Sequence, residues 1–258
     1  MFRAIISRIK QGHHTMPYPA APLQMPERFR GYPIVSTLSR TAEQIAEAPE
    51  CPYGAFTATG GGCLDMGKCL FCAECPLGNI QFSTDYKLAV TSRDHLLVRP
   101  GSEHHHALPL PPDLRRLFGR SLKFREVSAG GCNACEADVN VLSTIGWDLG
   151  RFGVQFVASP RHADGLWVTG PVTKNMEQAL LTTYEAIPSP KIVVACGACA
   201  INGGPYLDSP QAYNGVDSLI PVDLYIPGCP PHPATILDGI LRILDKLPRP
   251  PKCRLPSP

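Results

Sequence analysis

The sequence lacks long apolar runs and a strong excess of either charge. No apolar run reaches the roughly 18 residues that a membrane-spanning helix needs, and no basic, apolar and small-residue signal segment opens the chain. The 24 basic residues nearly balance the 22 acidic ones, without a basic stripe among aromatic residues. We therefore expect a reducing, cytoplasmic compartment and no nucleic-acid partner.

The sequence also lacks the motifs of a self-contained enzyme. It contains no Ser-His-Asp set, no phosphate-binding P-loop and no dinucleotide-binding fingerprint. An enzymatic role is therefore expected only within a complex with other subunits.

Cysteine is abundant, with 11 residues in the chain, and in a reducing compartment thiols are expected to bind metal. Two-cluster bacterial ferredoxins repeat the run C-x2-C-x2-C-x3-C-P, in which the fourth cysteine binds the other cluster. Here Cys51 precedes a proline and closes a first run, while Cys69, Cys72 and Cys75 begin a second run whose closing position is Asn79. These four cysteines predict one complete 4Fe-4S site.

The other site of the ferredoxin pattern has no ligands. Its three remaining positions, counted back from Cys51, are Thr41, Gln44 and Glu47. Cys63 lies outside the pattern and is interpreted as a structural thiol. A fourth ligand from Cys63 instead of Cys51 stays open as an alternative.

Composition divides the chain into four parts. Residues 1–33 are predicted to form an amphipathic helix and an extended Pro-rich arm, and residues 34–97 a small ferredoxin-like α+β iron-sulfur domain. Residues 98–116 are predicted to be a Pro/His-rich linker. His104, His105 and His106 could bind a metal, but consecutive residues cannot all face one point, so a solvated linker is the preferred interpretation. Residues 117–258 are expected to form a second domain.

The second domain alternates between strands and helices. Apolar, β-rich segments are predicted as strands at 124–128, 154–158, 166–169, 191–195 and 222–226, and helical spacing is found at 134–145, 173–186 and 232–247. This alternation with short connections predicts an α/β fold, in which a parallel sheet carries helices on both faces.

Four further cysteines follow the predicted strands. Cys132 and Cys135 follow the first strand, Cys199 follows the strand at 191–195, and Cys229 follows the strand at 222–226. Parallel strands deliver their carboxyl ends to one edge of a sheet, so these thiols are expected to converge and to bind a second 4Fe-4S cluster. Cys196 is an ambiguous substitute for Cys199, and the Gly-Gly that follows Cys199 favours Cys199.

Two other metal assignments use the same thiols. Four cysteines can also hold zinc, and the chain would then be a zinc-stabilised assembly scaffold. A nickel-iron centre also uses two CxxC pairs, here Cys132 with Cys135 and Cys196 with Cys199, but this assignment leaves Cys229 without a role.

The motifs AGGCNACEAD, SPRHADGLWVTGPVT, CGACAINGG and YIPGCPP resemble the small subunit shared by energy-converting group 4 nickel-iron hydrogenases and complex I. Complex I subunits of this kind have two adjacent cysteines where this chain has the spaced pair Cys132 and Cys135, which is the hydrogenase-like form. The front half, including MFRAIISRIKQG and the ferredoxin run, resembles the polyferredoxin-type subunit of formate hydrogenlyase complexes.

This resemblance implies a flavodoxin-like fold and an electron-transfer role. It implies that Cys132, Cys135, Cys199 and Cys229 hold the proximal cluster of a membrane-associated hydrogenase complex. The implied partners are a hydrogenase or complex I-like large subunit and other iron-sulfur and membrane subunits, which would hold the chain on the inner face of the cell membrane. The alternative is the equivalent subunit of a quinone-reducing NADH dehydrogenase.

Two further residues lie in motifs that match the family. Arg161 is hypothesised to donate hydrogen bonds or positive charge to the proximal cluster, and Glu136 to pass protons at the large-subunit interface. For both residues the alternative is an ordinary ion pair at an interface or a helix start.

Overall fold

The computed structural model describes residues 2–12, 14–37, 51–58, 61–72, 74–75 and 78–247. Thr41, Gln44 and Glu47, which the sequence predicts to be empty ligand positions, lie outside these ranges. The last part of the predicted second domain, residues 248–258, lies outside them as well.

Five parallel strands form the central sheet of the C-terminal half. They lie in the order β10-β9-β8-β6-β7. If the five strands are numbered 1 to 5 along the chain and read from the β7 edge, the order is 2-1-3-4-5, which is the flavodoxin-like order. The fold implied by the resemblance is therefore confirmed. The strands are β6 (Leu122–Ser128), β7 (Val154–Phe156), β8 (Gly165–Thr169), β9 (Ile192–Cys196) and β10 (Leu224–Ile226).

Helices cover both faces of this sheet, as the sequence predicts. On one face Val139 and Ile240 pack with Phe124 and Trp167, and on the other face Leu180 packs in the cluster of apolar residues that contains the remaining strand side chains. The central strands β8 and β9 are buried along their whole length, as expected of parallel strands covered on both faces. The helices are α1 (Phe2–Gln11), α2 (Pro112–Phe118), α3 (Ala134–Val141), α4 (Lys174–Ala186), α5 (Ala198–Asn202) and α6 (Pro233–Ile243).

The N-terminal half contains two small antiparallel sheets. One pairs β1 with β4, and the other has the order β2-β3-β5. Their short strands carry the cysteine loops of the ferredoxin run between them. The strands are β1 (Pro33–Val35), β2 (Phe56–Thr57), β3 (Cys63–Asp65), β4 (Ile80–Phe82) and β5 (Leu97–Val98).

The two halves pack against each other at the edge of the large sheet. Val90 pairs with Tyr225 of β10 through two backbone hydrogen bonds of 3.0 and 2.8 Å. The loop before Cys69 touches α5, because a Cβ added at Gly67 would lie 2.7 Å from Cγ2 of Ile201. This close backbone approach requires glycine at position 67.

The Pro-rich arm lies along the C-terminal half. The guanidinium of Arg151 donates to the carbonyl oxygens of Met16 and Tyr18 at 2.9 and 2.8 Å. The Tyr18 hydroxyl donates to the buried carboxylate of Asp238 at 2.7 Å, and Asp238 also pairs with Arg242. Hydrogen bonds to a buried carboxylate are among the stronger ones in proteins, so this contact helps to hold the arm in place.

Helix α1 has no buried residue and exposes four large apolar side chains, those of Phe2, Ile5, Ile6 and Ile9. Within the described ranges, no helix combines the length and the apolar character that crossing a bilayer requires.

The segment predicted to be a solvated linker is packed and partly helical. Helix α2 begins at Pro112, so it crosses the boundary expected at residue 117. His104 stacks on Tyr32 with ring centroids 3.6 Å apart, and its Nε2 lies 2.9 Å from the carbonyl oxygen of Lys87. Burial lowers the pKa of His104 to about 4. The expectation of a solvated linker is therefore wrong for this residue, because aromatic stacking and burial outweigh its polarity.

Candidate metal centres

The carboxyl edge of the large sheet carries the four cysteines predicted for the second cluster. Cys132 lies in the loop after β6, and Cys135 lies in the first turn of α3. Cys199 lies in α5 immediately after β9, and Cys229 follows β10 by three residues. We call these four thiols the C-terminal quartet.

The thiols of the C-terminal quartet are close enough to influence one another's ionisation. Burial, and then the charges of Cys229 and Cys132, raise the pKa of Cys199 to about 12. Burial, and then the charges of Cys199, Glu136, Cys229 and Cys132, raise the pKa of Cys135. Thiols with such pKa values stay protonated unless a metal replaces the proton, so the quartet is suited to a cationic metal group.

Glycines bring backbone against these sulfurs. A Cβ added at Gly197 would lie 2.6 Å from Sγ of Cys135, and one added at Gly204 would lie 2.8 Å from Sγ of Cys199. Gly197 has φ 93° and ψ 156°, a backbone region that only glycine adopts readily. The donor set and the space left around it therefore fit a metal-sulfur cluster approached closely by the backbone.

Cys196 lies within the sheet, not in the loops beyond its carboxyl edge. It is the last residue of β9, it is fully buried, and it packs with Trp167 and Val194 in the apolar cluster beneath α3 and α6. Burial raises its pKa well above the usual range. This position agrees with its interpretation as a buried thiol at a strand end.

The ferredoxin run forms a second group of thiols, which we call the N-terminal quartet. Burial raises the pKa of Cys69 to about 12, with further contributions from Cys75, Cys72 and Cys51, while a hydrogen bond from Phe71 opposes the shift. The Phe71 N–H donates to Sγ of Cys69 at 3.3 Å, which is the kind of N–H to sulfur contact that raises the reduction potential of a cluster.

Cys63 lies on β3, where it pairs with Thr57. The thiols whose charges act on Cys69 and Cys75 are the other members of the N-terminal quartet. This arrangement favours Cys51 over Cys63 as the fourth member.

Neither quartet has the spacing of ligands around one ion. In the part of the chain that the structure describes, no three His, Cys, Asp or Glu side chains gather closely enough to hold a single metal ion. The thiols of each quartet nevertheless interact electrostatically. The thiols of each quartet are therefore close to one another.

A cavity of about 130 Å³ lies between the loop after Cys69 and the loop that carries Cys229. Leu70 and Phe71, between Cys69 and Cys72, line one side of it, and Gly228 and Cys229 line the other. The cavity is also lined by Phe29, Arg30, Leu88, Pro227, Pro230, Pro231, His232 and Thr235. The structure therefore places loops of the two quartets next to each other.

Glu136 lies beside the C-terminal quartet in the first turn of α3. Its Oε1 accepts a hydrogen bond of 2.7 Å from the Thr169 hydroxyl. Burial acts to raise the pKa of Glu136, but hydrogen bonds from Ser128 and Thr169 outweigh it, and the pKa is lowered. Glu136 is therefore a hydrogen-bonded carboxylate close to Cys135 and Cys199.

Arg161 is not near the thiols. It lines a surface cavity with Lys123, Asp164 and Pro188–Pro190, which lie at the amino ends of β6, β8 and β9. Five residues of strand, about 16 Å at the usual rise, separate this edge from the cysteine edge. The hypothesis that Arg161 bonds directly to the proximal cluster is therefore corrected. β7 pairs with the first residues of β6, and β8 begins at the same level, so the motif between them stays at the amino edge of the sheet.

One acidic residue near the C-terminal quartet was missed by the sequence reasoning. Glu126 lies on β6, on the same side of the strand as Leu122 and Phe124, which are fully buried. Burial, and then the charge of Glu136, raise the pKa of Glu126 to about 7, although Arg125 opposes the shift. A glutamate in alternation with apolar residues on a strand is the signal that could have identified it.

The raised pKa of Glu126 predicts a stability effect. The folded protein holds the proton of Glu126 more tightly than the unfolded chain, so ionisation destabilises the fold as the pH rises from about 4.5 to about 7 and fully above that. Glu126→Gln should therefore raise the free energy of unfolding at about pH 8, on the order of 1 kcal/mol after allowance for partial exposure, and leave it unchanged near pH 4.

Thermal unfolding followed by circular dichroism at both pH values measures this difference. The exposed Glu185→Gln variant in α4 is the matched control and should show no such pH dependence. An equal effect of Glu126→Gln at both pH values would contradict the assignment.

A flavodoxin-like sheet that presents four thiols at its carboxyl edge, joined to a second thiol quartet, has the architecture of a metal-cluster-binding α/β protein. Residues 132–243 match the family described as NADH ubiquinone oxidoreductase, 20 Kd subunit. The chain belongs to this family, since relatives more than 30% identical are covered over most of their length.

Three curated relatives illustrate the relationship. The probable membrane-bound hydrogenase subunit mbhJ of Pyrococcus furiosus is 45% identical over 134 residues, which cover 52% of this chain and 80% of that subunit. Formate hydrogenlyase subunit 7 of Escherichia coli is 42% identical over 134 residues, covering 52% of each chain. The NADH-quinone oxidoreductase B-type subunit of Citrifermentans bemidjiense is 45% identical over 117 residues, covering 45% of this chain and 68% of that subunit.

These relatives confirm the family resemblance of the C-terminal half. They are subunits of hydrogenase and complex I-type oxidoreductases, as the sequence motifs imply. The family match begins at Cys132, so the resemblance of the front half to a polyferredoxin-type subunit remains a prediction from its motifs.

Proposed function

We propose that this chain is an electron-transfer subunit that relays electrons through two 4Fe-4S clusters in a membrane-associated nickel-iron hydrogenase complex of the formate hydrogenlyase type. The observation that carries this proposal is the packing of segments next to the two thiol quartets against each other. Gly67, two residues before Cys69, lies against Ile201, two residues after Cys199. Phe71, two residues after Cys69, lines the same cavity as Cys229.

In this proposal each quartet holds one cluster. Cys51, Cys69, Cys72 and Cys75 are the ligands of the N-terminal cluster, and Cys132, Cys135, Cys199 and Cys229 are those of the proximal cluster. A bound 4Fe-4S cluster supplies reversible one-electron oxidation and reduction.

The surrounding protein is suited to hold and adjust the clusters. The Phe71 N–H bonds to Cys69, and Gly197 and Gly204 leave room for the sulfurs of Cys135 and Cys199. Backbone N–H groups and the degree of exposure are the protein's main means of setting a cluster potential. In the C-terminal quartet Cys199 is buried and Cys135 is half-buried, whereas Cys132 and Cys229 are exposed.

Joining both quartets in one chain keeps the relay assembled. Transfer between covalently joined, packed modules does not depend on the concentration of a free carrier. The contact between the halves is ordered by the Val90–Tyr225 pairing. Within the N-terminal half, Arg93 forms a bidentate ion pair with the carboxylate of Asp65 at 2.9 and 2.6 Å. Asp65 precedes the Cys69 loop and also accepts a bond from the Gly67 N–H.

The proposed partners are a hydrogenase-type large subunit and further iron-sulfur and membrane subunits. The exposed side of Cys132 and Cys229 at the carboxyl edge offers the surface through which the proximal cluster would exchange electrons with the large subunit. The chain would lie on the inner face of the cell membrane, held there by partner subunits, and would act as an enzyme only in this complex.

A second candidate is the equivalent subunit of a quinone-reducing complex I-like enzyme. The 45% identity to a B-type subunit of NADH-quinone oxidoreductase favours it, whereas the spaced pair Cys132 and Cys135 favours the hydrogenase. Affinity purification of the tagged chain from its own cells, with identification of the co-purified large subunit, separates the two. Two CxxC pairs in that subunit support hydrogenase, and their absence supports quinone chemistry.

Metal content tests the relay itself. The chain purified without oxygen should contain about eight irons and about eight acid-labile sulfides, since two cubane clusters are expected. About four irons would contradict the two-cluster relay. A colourless protein with zinc and without sulfide would contradict it entirely and support a zinc-stabilised scaffold.

A further inference from the structure

The face of the sheet beneath α3 contains a carboxyl group without a hydrogen-bond partner. The Oε1 atom of Glu126 is fully buried and makes no hydrogen bond. On the neighbouring strand, in register with Glu126, lies Trp167. Its indole Nε1 is also buried, and it faces the sulfur of Cys196, which is only a weak acceptor.

Buried polar atoms are nearly always hydrogen-bonded, so an orphaned carboxyl oxygen calls for an explanation. An ionised carboxylate is costly in this position, whereas a neutral carboxylic acid tolerates it. Glu126 as a whole is only partly buried, so solvent reaches part of this residue. The position therefore favours a group that gains and loses a proton.

The charged and titratable groups around Glu126 come from three elements. Glu136 faces it from α3, Cys196 from β9, and Arg125 is its neighbour on β6. Burial and the negative charge of Glu136 raise the pKa of Glu126 to about 7, and Arg125 offsets only part of this. Glu126 therefore changes its charge near neutral pH in response to nearby negative charge.

Glu126 is linked to the C-terminal quartet through a short series of residues. Cys196 interacts electrostatically with both Glu126 and Cys135. Gly197, the next residue, lies against the Cys135 sulfur. An electron added at the quartet thus places negative charge one residue layer away from the orphaned carboxyl group, where screening by water is weak.

We propose that Glu126 is a redox-linked proton site, which takes up one proton from solvent when the proximal cluster gains one electron. This inference rests on the proposed function, since it requires a cluster at the C-terminal quartet. The electron comes from an external one-electron donor of low potential, such as another iron-sulfur centre, and electron and proton both leave on oxidation. The proton taken up at Glu126 balances the charge of the added electron, so the net charge of the region beneath α3 stays constant.

The pH dependence of the cluster's midpoint potential tests this proposal. In the anaerobically purified holoprotein, EPR-monitored titrations with dithionite between about pH 6 and about pH 9 should show a potential that falls as the pH rises. The slope should approach about 59 mV per pH unit, which corresponds to one proton per electron. In Glu126→Gln the potential should not vary with pH and should stay at the value that the wild-type protein reaches at low pH, because Gln resembles the neutral acid.

Infrared difference spectra provide a second measurement. Reduction of the wild-type protein should produce a protonated-carboxyl band that Glu126→Gln lacks and that the control Glu185→Gln retains. A wild-type potential that is independent of pH, or a slope that survives in Glu126→Gln, would overturn the proposal while leaving the relay intact. A preparation without an EPR signal and without sulfide would instead overturn the relay, and this proposal with it.

Discussion

Replacing Cys229 by alanine is expected to remove about half of the iron and acid-labile sulfide, leaving about four of about eight irons per chain. Cys229 contributes one of four thiols to the C-terminal quartet, and its sulfur interacts with those of Cys132, Cys135 and Cys199. A cubane cluster with three protein ligands is held weakly and lost during purification. The EPR signal that disappears identifies the proximal cluster.

Cys63→Ala is the matched control for this substitution. Cys63 is a part-exposed thiol on β3, separate from the quartet in the C-terminal half, so its replacement should leave both the iron content and the two signals unchanged. Iron loss in Cys63→Ala would mean that the N-terminal quartet uses Cys63 in place of Cys51. Full iron content in Cys229→Ala would contradict the C-terminal assignment.

Gly197→Ala should also abolish the proximal cluster, although it removes no ligand. The new methyl group would lie 2.6 Å from the Cys135 sulfur, and the φ of 93° and ψ of 156° are unfavourable for any residue with a Cβ. Either the sulfur or the strand end must move, and the backbone strain alone costs about 1–3 kcal/mol. We expect loss of about four irons per chain and a lower melting temperature.

Gly101→Ala separates the steric effect from the effect of backbone strain. Gly101 also has a positive φ, 72°, but nothing lies within 4 Å of an added Cβ. This variant should lose some stability and keep its full iron content. A Gly197→Ala variant that keeps both clusters with unchanged EPR signals would contradict the prediction that the close approach of the Gly197 backbone to the Cys135 sulfur leaves no room for a side chain.

The pattern of apolar segments was a good guide to the C-terminal half. The predicted strand at 191–195 corresponds to β9 at Ile192–Cys196, and the predicted helix at 173–186 to α4 at Lys174–Ala186. Two helices were predicted too long at their carboxyl ends: α3 ends at Val141 instead of 145, and α6 ends at Ile243 instead of 247. Periodicity locates an element well, but the capping contacts that end it are weaker signals.

The prediction for the Pro- and His-rich segment was wrong where packing contacts outweigh what the composition suggests. The Pro- and His-rich segment suggested a solvated linker, yet His104 stacks on Tyr32, and α2 begins with Pro112 at its first position. Proline is favourable at that position because its missing N–H would have no partner there. Composition alone did not distinguish a helix start from a linker.

The motifs identified the thiols that come together better than they identified the residues around them. Arg161 shares a motif with the family, but it follows β7, which pairs with the first residues of β6 at the amino edge of the sheet. Glu126 belongs to no recognised cysteine motif, yet it lies beneath α3 near the quartet. Distance from a site depends on the path of the chain between elements, which a motif does not encode.

The amino-acid sequence alone was sufficient for the parallel α/β architecture and for the two groups of four cysteines, because strand periodicity and cysteine spacing are local properties that survive in any correct fold. The contact of Gly67 with Ile201, the separation of Arg161 from the thiols and the orphaned carboxyl group of Glu126 became apparent only in three dimensions. Each depends on which surfaces of distant segments are brought together, and that is set by the packing of the whole chain.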